Sequence, residues 1–212
     1  MSVWGIVVAG GAGTRFGRPK QFVELRGVPL VHWAVEAGRG ACDAVVVVLP
    51  EHTPWEGEPV DATVVGGDTR AASVRAGLGA VPDDAEIIVV HDAARPMASP
   101  ALFGAVIDAV RHGADAAVPA VAVCDTIKRV EGARVVETVP RDQLVAVQTP
   151  QAFSASALRA AHSGTPEATD DAALVERAGG VVVVVAGDPS NRKVTTAEDL
   201  AILSHLEDGE CG

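Results

Sequence analysis

Apolar residues in this chain come in short, unbroken blocks. WGIVVA, AVVVVLP, ATVVGG, EIIVVHDA, AAVPAVAV and VVVVVAGD are rich in β-branched side chains and bounded by Gly, Pro or Asp. Runs of this kind fit strands buried on both faces, as in parallel sheets. The stretches between them are helix-like: 28–39, 70–80, 99–112, 154–162, 169–178 and 196–206. Ser99, Thr169 and Thr196 are placed as helix N-caps, with Pro100 at a first helical position. The alternation predicts βαβ units in an α/β fold with a doubly wound, mostly parallel sheet. One stretch breaks it. DTIKRVEGARVVETVPRDQLVAVQTP (125–150) has two strand-like halves around EGA and predicts a protruding β-hairpin arm. A hairpin alone is marginal in water, so the arm needs a packing partner, either its own domain or a second subunit. No linker, repeat or low-complexity stretch divides the chain, so residues 1–212 are expected to form a single domain.

Composition narrows the function. The chain of 212 residues is 48% apolar, enough for a packed core, but only 3% aromatic with no Tyr. It can hardly build the aromatic platforms that single-stranded nucleic acids stack on. Its formal net charge of −11 repels polyanions at long range. Nucleic-acid partners are therefore not expected. No apolar run approaches the roughly 18–20 residues of a membrane helix, so no membrane partner is expected either. The opening MSVWGIVVAGG has no basic segment and no cleavage site. Cys42, Cys124 and Cys211 match no metal spacing and read as reduced thiols, which points to the cytoplasm. The six histidines form no spaced metal set.

Against this acidic background one stretch is locally basic. VVAGGAGTRFGRPKQF (7–22) follows the first apolar block and carries Arg15, Arg18 and Lys20. It falls at the carboxyl end of the first predicted strand, where open α/β sheets bind ligands. Gly11, Gly13 and Gly17 miss the dinucleotide spacing G-x-G-x-x-G, and Lys20 lacks the G-K-[ST] context of a P-loop. Glycines let backbone N–H groups close on an anion, while Arg15 and Lys20 add a forked donor and a point charge. A phosphate ligand fits this chemistry.

The same residues resemble a known family. AGGAGTRFGRPKQF resembles the signature of sugar-phosphate nucleotidyltransferases, G-x-G-x-R followed by P-K. The ending PKQF is similar to cytidylyltransferases that make CDP-linked polyol phosphates. GGDTRAASVRAGL (66–78), VVHDAARP (89–96), DTIKRV (125–130), VQTPQAF (147–153), TDDAALVE (169–176) and NRKVTTAEDL (191–200) follow in order. Together they resemble the 2-C-methyl-D-erythritol 4-phosphate cytidylyltransferase family across nearly the whole chain. The resemblance implies a Rossmann-like nucleotidyltransferase fold. It also implies a reaction that joins CTP and a polyol phosphate, with release of pyrophosphate, in isoprenoid precursor synthesis. A ribitol-5-phosphate cytidylyltransferase is the alternative with the same chemistry. The attacking phosphate is already an anion at neutral pH, so positioning and charge neutralisation suffice without a general base.

Residue roles follow from the resemblance. Arg15, Lys20, Arg141 and Lys193 are the implied catalytic cations, with Arg141 and Lys193 gripping the substrate phosphate. Ala9, Gly10, Gly11, Ala12 and Gly13 would cradle the nucleotide. Gly67, Asp68 and Ser73 would read the cytosine or ribose, with Arg70 orienting their loop. Asp68 reads equally as a helix N-cap. Asp92, Arg95, Thr126, Thr149 and Thr169 would face the polyol, and Asp92 would also serve Mg²⁺ or another divalent cation. Asp92 and Arg95 read alternatively as a structural pair. His91 reads as structural, since no step needs a proton shuttle. In the family the arm crosses to a second subunit, which implies a homodimer whose arm, with Arg141, completes the partner's site.

Overall fold

The computed structural model describes residues 1–11 and 19–205. In chain order its strands and helices are β1 (Val3–Val8), β2 (Glu24–Leu25), β3 (Val28–Pro29), α1 (Leu30–Arg39), β4 (Ala44–Leu49), β5 (Ala62–Val65), α2 (Arg70–Leu78), β6 (Ile87–Asp92), α3 (Pro100–Arg111), β7 (Ala116–Ala122), β8 (Ile127–Glu131), β9 (Arg134–Val139), β10 (Val145–Val147), β11 (Gln151–Ser154), α4 (Ala155–Ala161), α5 (Ala172–Arg177), β12 (Val182–Ala186) and α6 (Ala197–His205).

Each apolar block became a strand of one eight-stranded sheet among the described residues. Strands β5, β4, β1 and β6 run parallel in that order. Beyond β6 lies β11, antiparallel to both β6 and β7, and β12 pairs parallel with the far side of β7. The sheet is thus mixed and mostly parallel, as expected. Alternate residues of a strand serve opposite faces. Val46 and Val48 pack with Val74 and Leu78 of α2 and with Leu158 of α4. Val45 and Val47 pack instead with Val31 and Val35 of α1. On that second face, Val89 of β6 meets Phe103, Val106 and Val110 of α3. A sheet covered on both faces needs strands that are apolar throughout, and β4 is buried over its full length.

Several boundaries differ from expectation for local reasons. The helix expected from residue 28 starts at Leu30, because Val28 and Pro29 pair back with Leu25 and Glu24. Arg26 and Gly27, at φ 55° and 75°, make the tight two-residue turn between them. Ser99 caps α3 by accepting from the Leu102 N–H, as predicted. Thr169 caps nothing: α5 begins at Ala172, and Asp170 accepts from the Ala173 N–H at 3.1 Å. The arm is shorter than 125–150. Strands β8 and β9 form a separate two-stranded sheet turning at Gly132, whereas β10 pairs with Ala120–Ala122 of β7 in the main sheet.

Candidate active site

Strand order reverses beside β1: β4 and β5 follow to one side, and β6 returns to the other. The carboxyl ends of β1 and β6 therefore open onto a topological switch point, the usual place for a ligand in such sheets. A cavity of about 610 Å³ lies there. Its wall includes Ala9, Gly10 and Gly11 after β1, Gly67, Asp68, Arg70 and Ser73 around the start of α2, and Asp92 at the end of β6. Lys20 and Lys193 complete it from the two flanks.

Backbone pairing continues past the strand ends and fixes this wall. The Ala9 N–H donates to Val48 O at 2.8 Å, and the Ala93 N–H to Val8 O at 3.1 Å. Gly66 and Gly67 are required by close approach. A Cβ on Gly66 would come within 2.8 Å of Ser73 Oγ, and one on Gly67 within 2.5 Å of the Ala72 Cβ. The turn ahead of α2 therefore presses onto the helix start. Thr69, rather than Asp68, is the N-cap: its Oγ1 accepts from the Ala72 N–H at 3.0 Å. Asp68 is left exposed on the cavity rim. Gln21 is buried and donates to Gly11 O at 3.0 Å, tying the residues after the opening loop to those before it.

The cavity floor is ionic. Arg70 Nε donates to Asp92 Oδ1 at 3.1 Å, and Lys193 Nζ to Asp92 Oδ2 at 2.5 Å. Burial would raise the Asp92 carboxyl, but the charges of Arg70 and Lys193 outweigh it and hold it well below the usual carboxylate range. Arg70 also donates through Nη1 to Asp171 Oδ2 at 2.7 Å. Burial opposes its charge, and the two aspartates raise its pKa regardless. Arg70 thus braces Asp92 instead of orienting the turn at 66–69. Lys20 Nζ donates to Val194 O at 2.9 Å, which anchors one wall to the segment carrying Lys193.

Behind Asp92 the polar groups close on themselves. His91 is buried, and its Nε2–H donates to Arg95 O at 3.1 Å. Its Nδ1 then accepts from the Thr149 hydroxyl at 3.1 Å, while Thr149 Oγ1 accepts from the Asp92 N–H at 3.0 Å. Burial lowers the His91 pKa to about 4, so the ring is neutral and structural, as read. Thr149 likewise spends its hydroxyl on this support and does not line the cavity. Arg95 is not an ion-pair partner of Asp92. It donates to Asn191 O at 2.7 Å and Val147 O at 3.4 Å, and it lies outside the cavity lining.

The remaining candidates lie elsewhere. Thr126 and Thr169 are exposed and do not line the cavity. Arg141 is exposed at the base of the arm and donates to Cys124 O. Ala12, Gly13 and Arg15 lie outside the described residues, as does Arg18. The structure therefore brings together Ala9, Gly10, Gly11, Lys20, Gly67, Asp68, Ser73, Asp92 and Lys193. Two contributors were missed. Gln21 sits inside the quoted PKQF motif but carries no charge to mark it. Asp171 lies within TDDAALVE, and nothing local joins it to Arg70.

The family model described as IspD, 2-C-methyl-D-erythritol 4-phosphate cytidylyltransferase, matches residues 3–206. The chain is 46% identical to the 2-C-methyl-D-erythritol 4-phosphate cytidylyltransferase of Nocardia farcinica, covering 98% of this chain and 94% of that protein. It is 42% identical to the Rubrobacter xylanophilus enzyme of the same name, covering 93% and 91%. The crystal structure of the Thermus thermophilus enzyme superposes with a TM-score of 0.84 at 36% identity, covering 97% of this chain and 98% of that one. With its ionic cavity at the sheet's switch point and its match over nearly every residue, the chain belongs to the 2-C-methyl-D-erythritol 4-phosphate cytidylyltransferase family.

Proposed function

We propose that this chain joins CTP to 2-C-methyl-D-erythritol 4-phosphate, giving 4-CDP-2-C-methyl-D-erythritol and pyrophosphate for isoprenoid precursor synthesis. A phosphate oxygen of the polyol attacks the α-phosphorus of CTP. The bond from that phosphorus to the β-bridging oxygen breaks, and pyrophosphate leaves with the electron pair. The single observation that carries this reading is the cavity itself, with two lysines and Asp92-bound Arg70 facing a glycine-lined strand end. Such a cavity offers cations to a phosphate and, among the described residues, no histidine proton shuttle, since His91 is sealed behind Asp92.

In this reading Lys20 and Arg15 stabilise charge on the α-phosphate and the leaving pyrophosphate. The backbone after β1 cradles the nucleotide. Gly67, Asp68 and Ser73 face the base. Lys193, with Arg141 from an arm, holds the polyol phosphate. A divalent cation such as Mg²⁺ would supply further neutralisation across the phosphates. Among the described residues no three His, Cys, Asp or Glu groups converge as a metal cage. An ion carried in on the triphosphate suits that donor set, because Mg²⁺ keeps water and phosphate ligands and takes one or two carboxylates. Asp92 is the buried carboxylate in the wall that would meet it.

We also place the enzyme as a homodimer in the cytoplasm. Support for the dimer is the arm, whose Val130 and Val135 are each 54% exposed on a two-stranded sheet that cannot stand alone. Support for the compartment is that Cys42 and Cys124 are free thiols. The test is pyrophosphate release with CTP or UTP against methylerythritol phosphate or ribitol 5-phosphate, with and without Mg²⁺. The expected result is Mg²⁺-dependent release with CTP and methylerythritol phosphate. A preference for ribitol 5-phosphate would reassign the acceptor, and equal rates with UTP would remove the base-reading role of residues 67–73.

A further inference from the structure

Beneath the cavity floor a line of ion pairs runs from half-exposed Lys193 inward and ends in a buried, unexpected residue. Asp171 holds Arg70 through Oδ2, and its other oxygen, Oδ1, accepts from His162 Nε2–H at 2.9 Å. The side chains of His162 and Asp171 are 2% and 1% exposed. His162 follows the last turn of α4, whose buried residues Ala155, Leu158 and Ala161 are all apolar. Its Nδ1 is buried and has no partner among the described residues. Burying half an imidazole's polar capacity unmet works against stability, so packing alone does not account for a histidine here. What the ring does that an apolar side chain would not is hold Asp171.

We infer that His162 is a positioning residue for the transfer reaction, acting through Asp171, Arg70 and Asp92 on Lys193. The geometry is continuous. His162 fixes one oxygen of Asp171, so the other stays on Arg70. Arg70 is thereby held with Nε on Asp92 Oδ1, and Asp92 Oδ2 receives Lys193, which lines the cavity. Charge alternates along Asp171, Arg70, Asp92 and Lys193, so each group is stabilised only while its neighbour stays in place. Without His162, Asp171 has an unbonded oxygen and is released to turn. Arg70, whose Nη2 has no hydrogen-bond partner among the described residues, would follow it. The lysine ammonium would then lose its fixed place beside the acceptor phosphate.

The inference rests on the reading that Lys193 faces the polyol phosphate. The test compares His162→Leu and His162→Gln in the full-length enzyme, measuring kcat, both KM values and melting temperature. The leucine variant is expected to raise KM for methylerythritol phosphate by on the order of 10-fold, with KM for CTP within about twofold of wild type. Glutamine places an amide N–H near the same carboxylate oxygen and is expected to restore most of that loss. In the double variant with Asp92→Asn, the leucine substitution should add nothing, because its effect passes through Asp92. If His162→Leu lowers the melting temperature but leaves kcat and KM per folded molecule unchanged, His162 is a packing residue and the inference falls. It falls too if glutamine does no better than leucine. If the leucine variant does not fold, His162→Asn, too short to reach Asp171, is set against His162→Gln by the same criterion. A wild-type enzyme inactive with methylerythritol phosphate would sink the underlying reading instead. An Asp92→Asn defect without a His162 defect would sink this one alone.

Discussion

The cavity floor and the arm both carry charged side chains, yet they are built on opposite terms. At the floor, Asp92 and Asp171 are buried and Arg70 is half-buried between them, and each charge has a named partner. On the arm, β8 and β9 expose valines and charges alike, and none of their residues joins a core cluster among the described residues. The floor is organised within one chain. The arm is a two-stranded sheet of its own, separate from the main sheet. Residues of the first kind couple activity to stability, and residues of the second kind separate them.

The sharpest test of the cavity is Lys20→Ala. It should lower kcat by roughly 10²–10³-fold, the scale of one preorganised electrostatic contact, with a smaller change in KM for CTP. Steady-state kinetics at saturating CTP check this, and a loss under about tenfold would remove Lys20 from the reacting phosphates.

Asp92→Asn should hurt both activity and folding, because it leaves Arg70 and Lys193 without their shared anion. Removing one partner of a buried pair costs about 3–5 kcal/mol, which a urea titration resolves; partial exposure of Lys193 puts the expectation at the lower end. The pH dependence has a definite sign. The Asp92 pKa is lowered on folding, so its stabilisation is full above the unfolded value of about 3.9 and is lost as pH falls through the lower folded value. Acid unfolding of the Asp92→Asn protein should be correspondingly shallower below about pH 4.

Arg141→Ala tests the other side of the comparison. Its stability should stay within about 0.5 kcal/mol of wild type, as for an exposed site, while turnover collapses. Mixing it with Lys20→Ala, unfolding and refolding together, then separates shared from private sites. In the proposed dimer, random pairing makes about half the dimers mixed, and each mixed dimer has one intact site if the arm crosses over, so about a quarter of wild-type sites return. An inactive mixture with a dimer seen by light scattering would assign Arg141 to its own chain. The smallest effect is Thr69→Ala, which removes the cap of α2 and should cost about 1 kcal/mol with little change in kcat.

What could be read in advance divides along the same line. The strands were legible because parallel strands covered on both faces have no polar positions to hide, and AVVVVLP shows this in six successive buried residues. The glycine-lined wall and Lys20 were legible because their chemistry is local. The hairpin was overextended because 145–147 looks like any short strand, and only its partner, Ala120–Ala122, decides which sheet it joins. Thr149 and Arg95 stood in the right segments, but their donors and acceptors went to supporting Asp92 and the 191 turn. No spacing rule reveals that, since the bonds span tens of residues. For the same reason Asp171 and His162 stayed invisible: a carboxylate joined to Arg70 across the fold leaves no periodic trace.

The placement of β1 between β6 and β4 has a consequence for synthesis. Val3–Val8 is made before the other strands of the sheet, and Val3 finds its neighbour Ile87 only after β6 has been translated. At the usual pace of translation that interval is on the order of ten seconds, during which an apolar strand remains without its second edge. Pairing with β4 covers one side earlier. The other stays open, and contacts this remote in sequence form late in folding. A nascent chain stalled between Leu49 and Ile87 should therefore be a good chaperone client, and one stalled beyond α3 a poorer one.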